Sequence, residues 1–501
     1  MAFNLTTATI PELSLKRRKG SALYVQLAKE LEGFIVSGTL KSGDRLPSER
    51  ELAKQLGFSR TTVVNSYREL ESRGFVRSHV GRGTFVCANS EATDAPFAWR
   101  GKVSATAELI NGSWTVRDLI RDSSNPDLIS FASLLPALSC FPTDDYRRTM
   151  DKAIRSQATH ALGVAPSEGE WRFRTQIARR FGAKTEQVLI VSGAQQGLDL
   201  VGRCLLDPGD AVIIDRPGYV GAIQNFRAAG ARLVGWDIVR ADLNELEDLI
   251  LRYRPKLICT NPTFQNPTGR SLSLKERREL LELTSRYRVP LVEDDPSRDT
   301  SLRGPVPPSL FQLDAANNTV IYLGSFSKTL APGLRLGWVL ASEYIVEQLA
   351  SIKERQVLFT GGLNQMVLAE FLENGTYEDH LTRLKAEHSK RLNVMIRALR
   401  RYFSEASLTI NSPGGGLHVW CQLSGEVESR QLARHALSRG VVLANGEIFY
   451  PDNGAGGREF RLCFTSMTAD KIEEGVKSLS DAFIAAKTES SGIKRSRVSI
   501  V

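Results

Sequence analysis

Apolar positions follow two different rhythms along the 501-residue chain. In residues 20–87 they recur at helical spacing, and a predicted helix over 21–36 places most of them on one face. From Leu128 onward, short β-branched runs alternate with longer amphipathic stretches. Such apolar strands between helices are typical of a mostly parallel sheet covered on both faces. The predicted strands are VLIVSG (188–193), AVIID (211–215), KLICT (256–260), PLVED (290–294), VIYLGS (320–325) and GWVLA (337–341).

Two short helices joined by a tight turn are predicted near the N-terminus. Ser48 can cap the first helix with Glu51 as its capping-box partner, and Gly57 ends that helix. Ser59 can cap the second helix, which runs from residue 60 to about residue 72. This arrangement is typical of a helix-turn-helix. The next segment, FVRSHVGRGTFV, predicts two strands around a glycine-rich turn, which together form a wing.

The second of these helices opens with groups suited to nucleic acid. A guanidinium, hydroxyls and free backbone N–H groups can meet base edges and phosphate oxygens. Any helical domain can expose arginine and threonine, so the order of the parts decides the interpretation. LPSERELAKQLGFSRTTV followed by GRGTFV resembles the winged helix-turn-helix domain of GntR-type regulators. The resemblance implies contact with double-stranded DNA through Arg50, Ser59, Arg60, Thr61, Thr62 and Arg82.

Composition and charge favour a soluble, cytoplasmic protein of two or three domains. Six cysteines lie far apart without a CxxC pair, so we expect reduced thiols and no metal site. No apolar run approaches the roughly 18 residues of a membrane span. Residues 1–90 carry 14 basic and 8 acidic side chains and so hold six of the net nine positive charges. This excess favours binding to nucleic acid, although a solvated surface can have the same composition. We predict a tail (1–19), a DNA-binding domain (20–87), a linker (88–126), a large domain (127–485) and a flexible tail (486–501).

The segment SFSKTLAPGLRLGW (325–338) carries the most specific chemical signal. Lys328 follows a predicted strand among small residues, where a lysine amine can lose hydration and act as a nucleophile. Ser325, Ser327 and Arg335 surround it with hydroxyls and a guanidinium that suit a phosphate. An isolated lysine is usually a surface residue, so the interpretation depends on other motifs.

Four further stretches give this lysine a context. SGAQQGLDL (192–200) predicts a strand end, a turn and a helix start, which together form a cradle of N–H groups for phosphate. NPTFQNPTG (261–269) places Asn266 on a loop after a strand. EDD (293–295) places Asp294 at the carboxyl end of a strand, where open α/β sheets bind ligands. FRLCF (460–464) offers Arg461 as a receptor for a carboxylate.

Together these stretches resemble fold-type I pyridoxal-phosphate enzymes, the aspartate aminotransferase superfamily, over about residues 128–485. The resemblance implies an α/β domain with a mostly parallel central sheet and a small C-terminal α+β part. It implies that Lys328 forms a Schiff base with pyridoxal 5'-phosphate, Asp294 pairs with the pyridine nitrogen, and Asn266 donates to the ring 3-oxygen. Arg461 would bind an amino-acid carboxylate. Further cofactor contacts are implied for Ala194, Gln195, Tyr219, Ser325, Ser327 and Arg335.

A GntR-type domain followed by this fold resembles the MocR-type (GabR-like) regulators. The resemblance implies a domain-swapped homodimer that senses pyridoxal phosphate, or an amino-acid or amine effector, and controls transcription. Two alternatives stay open. One is an active aminotransferase with an attached DNA-binding domain, and the other is a GntR regulator whose large domain is purely structural.

Three positions depart from the aminotransferase pattern and favour slow or absent turnover. Ser297 stands where EDDPY has tyrosine, and Leu162 stands where a tyrosine reaches the neighbouring subunit's phosphate. Leu134 replaces a glycine near the expected substrate carboxylate. In GabR-like regulators that bind 4-aminobutyrate, an arginine follows shortly after the stacking tyrosine. Here Val220 and Gly221 follow it, so we expect a different effector.

Overall fold

Two units make up the chain, Met1–Val103 and Ser104–Val501, and each is described by itself. The structure is a computed structural model. It describes residues 10, 23–37, 39–41, 43–79, 83–87, 125–314, 318–452 and 454–498, with side chains up to residue 489. The predicted tail at 1–19, apart from Ile10, and nearly all of the predicted linker at 88–126 lie outside the described residues.

The N-terminal unit consists of three helices and a hairpin. Its antiparallel strands β1 and β2 pair from Val76 with Val86 to His79 with Gly83. Its core is formed by apolar side chains of all three helices together with Val76 and Val86. The elements are α1 (Leu23–Val36), α2 (Glu49–Leu56), α3 (Arg60–Ser72), β1 (Val76–His79) and β2 (Gly83–Val86).

Both predicted helix caps of this unit are confirmed. Glu51 N donates to Ser48 Oγ at 3.3 Å, and Ser48 N donates to Glu51 Oε2 at 2.8 Å. Gly57 ends α2 in the left-handed conformation, at φ 65°. At the start of α3, Thr62 N donates to Ser59 Oγ at 3.1 Å. These local bonds fix the helix-turn-helix geometry that the sequence predicts.

A seven-stranded sheet forms the centre of the C-terminal unit, in the order β4-β10-β9-β8-β7-β5-β6. Every neighbouring pair is parallel except the two that involve β10. A smaller antiparallel sheet follows, in the order β11-β12-β15-β14. The strands are β3 (Ile129–Ser130), β4 (Val188–Val191), β5 (Ala211–Arg216), β6 (Arg232–Asp237), β7 (Leu257–Thr260), β8 (Leu291–Asp294), β9 (Val320–Ser325), β10 (Gly337–Leu340), β11 (Leu408–Asn411), β12 (His418–Leu423), β13 (Val441–Val442), β14 (Ala444–Asn445) and β15 (Glu459–Cys463).

Helices cover both faces of the central sheet, which confirms the predicted layered α/β fold. Buried side chains of α6, α7 and α11 pack on one face. The other face packs against α5, α8, α9, α12 and α13. The helices are α4 (Thr143–Leu162), α5 (Trp171–Phe181), α6 (Ala194–Leu205), α7 (Val220–Ala228), α8 (Leu243–Tyr253), α9 (Leu274–Tyr287), α10 (Leu310–Leu313), α11 (Glu343–Val357), α12 (Gly362–Glu373), α13 (Thr376–Tyr402), α14 (Ser429–Leu437) and α15 (Ala469–Val498). None of the described helices is long and apolar enough to cross a lipid bilayer.

The central sheet and the C-terminal helix each differ from the prediction at one point. Strand β6 was not predicted, because this edge strand alternates exposed or half-buried positions with buried ones instead of forming an apolar run. The predicted flexible tail at 486–501 is also corrected, since α15 continues through Val498. Buried Leu479, Ala482 and Ala486 keep one face of α15 in the core, past the point where the polar composition indicates a tail.

The carboxyl ends of four neighbouring parallel strands lie at one edge of the central sheet. Asp215 lies near the end of β5, Asn261 follows β7, Asp294 ends β8 and Ser325 ends β9. Strands in a parallel sheet end side by side, so residues distant in sequence meet here. This edge therefore holds the candidate cofactor site.

Candidate cofactor and DNA-binding sites

Lys328 closes a short 3₁₀ turn, Phe326–Lys328, directly after β9. Its Nζ donates to the carbonyl oxygen of Leu134 at 2.8 Å. Burial and, to a lesser extent, the positive charge of Arg461 lower the pKa of Lys328 to about 8. A substantial share of the amine is therefore neutral near physiological pH, the form in which a lysine acts as a nucleophile.

Asp294 is almost fully buried, at 3% exposure, and its Oδ1 has no hydrogen-bond partner among the described residues. Burial, reinforced by the charges of Asp295 and Asp215, raises the pKa of Asp294 to about 7, against a weaker opposing effect of Lys328. A buried carboxylate without a partner is costly. This carboxyl is therefore suited to a positively charged or proton-bearing ligand group.

Asp215 is a second buried carboxyl at this edge, and the sequence interpretation missed it. Asn261 N donates to its Oδ2 at 2.8 Å, and Gln265 Nε2 donates to the same oxygen at 3.4 Å. Burial raises the pKa of Asp215 to about 6. The missed signal was its place: the residue lies at the end of the predicted strand AVIID, as Asp294 ends PLVED.

Arg461 and Asn266 meet although 195 positions separate them. Arg461 Nη1 donates to Asn266 Oδ1 at 2.7 Å, and Nη2 donates to the carbonyl oxygen of Ala132. Its guanidinium lies 4.9 Å from the ring centroid of Phe449, and its Nε has no partner among the described residues. Burial lowers the pKa of Arg461 below its usual range, but a guanidinium stays protonated at neutral pH. The pair presents an amide and a buried cation side by side.

The N-terminus of α6 forms an anion cradle with Arg335. Ala194 begins this helix, and Gly193 precedes it at φ 89° with no side-chain cap. Arg335 Nη2 donates to the carbonyl oxygen of Ser192 at 2.5 Å. A Cβ on Gly193 would lie 3.0 Å from the Arg335 guanidinium, so the glycine permits the close approach. Helix N–H groups beside a guanidinium are suited to a phosphate.

Gln195 and Tyr219 lie against this cradle. The Tyr219 hydroxyl donates to Gln195 Oε1 at 3.1 Å. A Cβ on Gly221 would lie 2.5 Å from both Gln195 Oε1 and the Tyr219 ring, so a larger residue there would displace them. Burial raises the pKa of Tyr219, which therefore stays a neutral phenol.

Ser325 and Ser327 lie at the start of the turn that carries Lys328. Ser325 is buried at the end of β9, and its Oγ accepts a hydrogen bond from Ser327 N at 3.1 Å. This bond stabilises the first residues of the turn.

The three departures from the aminotransferase pattern occupy different settings. Leu134 contributes the carbonyl that holds Lys328. The carbonyl oxygen of Ser297 accepts from Thr300 N at 2.9 Å and closes a turn, and this side chain offers no phenol. Leu162 ends α4 with 67% of its surface exposed. The phenol that the family pattern would place at position 297 is thus missing. The charged groups of the site, Lys328, Asp294, Arg335 and Arg461, are all present.

In the N-terminal unit, the candidate DNA-contacting side chains lie at the start of α3 and on α2. Arg60 is exposed and pairs with Glu49 at 3.2 Å, and Arg50 and Thr61 are exposed. Thr62 Oγ1 lies 2.8 Å from Ser59 Oγ, so these two hydroxyls bond each other as part of the cap. Arg82 lies outside the described residues.

Arg45 is a basic residue of this unit that the sequence interpretation missed. It forms an isolated β-bridge with Phe85, and a Cβ on Gly83 would lie 2.7 Å from Arg45 Nε. Arg45 therefore packs its guanidinium against strand β2 of the wing. Its only sequence signal was its position in the loop before the capping serine.

The residues at the sheet edge fit pyridoxal phosphate. The unpartnered Asp294 Oδ1 matches a protonated ring nitrogen, the uncapped helix N-terminus at Ala194 lies beside the Arg335 guanidinium and suits a phosphate, and Lys328 supplies an amine with a lowered pKa. The amine, the guanidinium and the carboxyl are thus complementary to the aldehyde, the phosphate and the pyridine nitrogen of that cofactor, respectively.

Comparisons with known proteins agree with both halves of this description. Residues 140–479 match the aminotransferase class I and II family, and residues 23–86 match the gntR family of bacterial regulatory proteins. The chain is 31% identical to the probable rhizopine catabolism regulatory protein MocR of Rhizobium meliloti, over 96% of this chain and 97% of that one. It is 35% identical to a 2-aminoadipate transaminase of Thermus thermophilus, over 77% of this chain and 98% of the relative. The crystal structure of LysN, an α-aminoadipate aminotransferase of Thermus thermophilus, matches 78% of this chain over 99% of its own length, with a TM-score of 0.74 and 34% identity.

The protein therefore belongs to the aminotransferase class I and II family and carries a GntR-family winged helix-turn-helix. It is a DNA-binding transcriptional regulator with an aminotransferase-like, pyridoxal-phosphate-dependent domain. The transaminase relative matches about three quarters of this chain, whereas the MocR relative matches 96% of it.

Proposed function

We propose that this protein bonds pyridoxal phosphate through Lys328 and uses the loaded site to sense an amino acid or amine, which changes transcription from an operator. The observation that carries the proposal is the unpartnered, buried Asp294 Oδ1 in the same site as a lysine with a pKa of about 8. Packing explains neither group, because the folded protein would be more stable with a hydrophobic residue at either position.

Each site residue has a role in this proposal. Asp294 holds a proton between its carboxyl and the ring nitrogen, Asn266 donates to the ring 3-oxygen, and Tyr219 stacks on the ring. The backbone of Ala194 and Gln195 binds the phosphate, together with Ser325, Ser327 and Arg335. Arg461 receives the carboxylate of the effector. When bound, the cofactor supplies an electron sink that lets an amine react covalently at the site.

An active aminotransferase is the second candidate. The 35% identity to a 2-aminoadipate transaminase favours it, because that relative is an enzyme over nearly its full length. Against it stands the loss of the phenol at Ser297, together with Leu134 and Leu162. Ser297 lacks a phenol, Leu134 adds a side chain where the pattern has glycine, and Leu162 lacks a second phenol, while the charged groups remain; this favours sensing over sustained turnover.

We further propose that the protein acts as a domain-swapped homodimer in the cytoplasm, where operator DNA is accessible. Support for a dimer comes from Leu162, Val164 and Trp171, which are 67%, 85% and 56% exposed in the single chain. Exposed apolar residues in one short segment are typical of an interaction surface. Paired DNA-binding domains would then contact two half-sites.

For the DNA-binding half, we propose that Arg60 and Thr61 contact base edges while Arg50 and the Ser59–Thr62 cap contact phosphates. The exposure of Arg50, Arg60 and Thr61 supports this assignment. We assign the wing contact to Arg82 because it stands in GRGTFV, the segment that resembles the wing of GntR-type regulators.

The decisive experiment is the visible absorption spectrum of the purified protein before and after adding a panel of amino acids and amines. A bound-cofactor band that one compound shifts, without release of a keto acid, supports the sensor. Steady keto-acid production with 2-oxoglutarate supports the aminotransferase instead. Lys328→Ala should lose the band and the response yet keep DNA affinity. A wild-type protein that stays colourless with added pyridoxal phosphate would overturn the proposal. We expect no shift with 4-aminobutyrate.

A further inference from the structure

A completely buried histidine lies between the two backbone segments that meet at Lys328. His380 belongs to α13 and has no exposed surface. Its Nε2 lies 2.6 Å from the carbonyl oxygen of Thr329, and its Nδ1 lies 3.1 Å from the carbonyl oxygen of Cys140. Both ring nitrogens therefore face backbone acceptors.

A neutral imidazole carries only one N–H, so these two carbonyl contacts are not equivalent. Burial lowers the pKa of His380, and the charge of Arg383 acts in the same direction, against the opposing effect of the two carbonyls. The neutral ring thus dominates. The shorter contact assigns its single proton to Nε2, which donates to Thr329 O.

Thr329 directly follows Lys328, so its carbonyl fixes the backbone of the turn that carries the lysine. Tyr377 makes a second contact with Thr329. Its hydroxyl lies 3.0 Å from Thr329 Oγ1 and 3.0 Å from Asp299 Oδ2. Tyr377 and His380 are three positions apart on α13 and therefore lie on one face. One helix thus holds both the main chain and the side chain of Thr329.

The other contact of His380 leads to the resting partner of Lys328. Cys140 ends the segment that starts at β3 and contains Leu134, whose carbonyl accepts from Lys328 Nζ. His380 is consequently packed between the turn that presents the amine and the end of the segment that holds it. Neither contact of the ring involves a residue that the cofactor is expected to touch.

We propose that His380 is a positioning residue for Lys328, acting through a hydrogen bond from Nε2–H to the carbonyl of Thr329. This inference rests on the proposed role of Lys328 as the residue that bonds the cofactor. A long, flexible lysine side chain reaches a ligand reproducibly only if its backbone is fixed, and reaction rates are sensitive to small displacements. Loss of the bond leaves a buried carbonyl without its donor and loosens the turn.

Three substitutions separate this role from simple packing. In His380→Gln, the amide nitrogen can take the place of Nε2 and keep the bond to Thr329. In His380→Asn, the shorter side chain places its amide nitrogen near Nδ1, within reach of Cys140 alone. Because Asn also fills less space than Gln, His380→Met is the packing control: it is close to Gln in size but has no N–H donor, so a role limited to filling space predicts that Met behaves like Gln, whereas loss of the bond predicts that Met behaves like Asn. His435→Gln is the matched control, since His435 lies on α14 and bonds Glu489 at 2.7 Å.

The test uses the full-length protein freed of cofactor, with pyridoxal phosphate as the probe and its absorption band as the readout. We expect His380→Gln and His435→Gln to stay within about twofold of the wild-type affinity, and His380→Asn to bind about tenfold more weakly, the order of one buried hydrogen bond. Equal affinities for the Gln and Asn variants, or for the Gln and Met variants, would overturn the inference. So would a spectrum of bound cofactor that is identical in all variants.

Amide exchange of the cofactor-free protein gives an independent readout. Peptides covering residues 326–336 should exchange faster in His380→Asn than in His380→Gln, with unchanged exchange in the N-terminal unit. Equal exchange in the two variants contradicts the bond to Thr329 even if no variant binds the cofactor. If the wild type takes up no pyridoxal phosphate while exchange differs as expected, the proposed function fails and the positioning of the turn stands.

Discussion

Replacing Asp294 by asparagine should stabilise the cofactor-free protein and weaken its hold on the cofactor. Burial and the neighbouring carboxyls raise the pKa of Asp294 from 3.8 to about 7. Between these values the folded protein retains a proton that the unfolded chain releases. The folded state therefore loses stability as the pH rises from 3.8 to about 7, and the loss is complete above that range.

The magnitude follows from the size of this shift. A rise of about three pKa units corresponds to about 4 kcal/mol, at 1.36 kcal/mol per unit. Part of the shift comes from Asp295 and Asp215, which can take up protons themselves and relieve the repulsion, so we expect about half of this ceiling. Asp294→Asn should thus gain about 2 kcal/mol at about pH 8 and almost nothing at about pH 4.

Urea unfolding of the cofactor-free protein at both pH values measures this gain, with Asp248→Asn on the exposed face of α8 as the control. Titration with pyridoxal phosphate should show the opposite change. A neutral amide cannot neutralise the positive charge of a protonated ring nitrogen. The affinity for pyridoxal phosphate should therefore fall at least tenfold. A variant that is destabilised equally at both pH values would refute the reasoning, because Asp294 would then be part of the packing and not a carboxyl kept for a ligand.

Three further outcomes follow from other parts of the molecule. Arg60→Ala should abolish specific DNA binding in a mobility-shift assay while the cofactor spectrum stays unchanged; normal operator binding would mean that α3 is not the recognition helix. Ser48→Ala should lower the stability of the N-terminal unit by about 1 kcal/mol, because it removes the capping box of α2; circular dichroism melting of residues 1–103 measures this. Uptake of pyridoxal phosphate should rise with pH around a midpoint near 8, since the neutral amine of Lys328 increases there. A flat rate between about pH 7 and pH 9 would contradict the lowered pKa.

The parts of the fold that the sequence predicted are those determined by local chemistry. Ser48, Gly57 and Ser59 form helix boundaries through bonds within a few residues, and each lies where the pattern placed it. The six predicted strands were visible because strands buried on both faces form apolar runs. The edge strand β6 lacks such a run, and α15 continues because its apolar face packs on distant helices.

The candidate site was predictable only as far as motifs reach. Lys328, Asp294 and Arg461 each stand in a recognisable stretch. Contacts across nearly two hundred positions, such as Arg461 with Asn266 and Lys328 with Leu134, depend on how the sheet edge closes. His380 had no sequence signal, because a lone histidine on a long amphipathic helix is most often a core residue.

Binding a cofactor and turning over substrate depend on different parts of this site. Binding needs a charge for the ring nitrogen, an anion cradle and an amine, and the chain provides all three at one sheet edge with Asp294, Arg335 and Lys328. Turnover also needs groups that tune and relay protons beside the reacting carbon, and the phenol that the family pattern places at Ser297 is absent. The lowered pKa of Lys328 comes from burial and Arg461 and does not require that phenol. A site that keeps the groups for binding and lacks this phenol is suited to holding the cofactor without sustained turnover, which agrees with the sensing role that we propose for the domain attached to the helix-turn-helix.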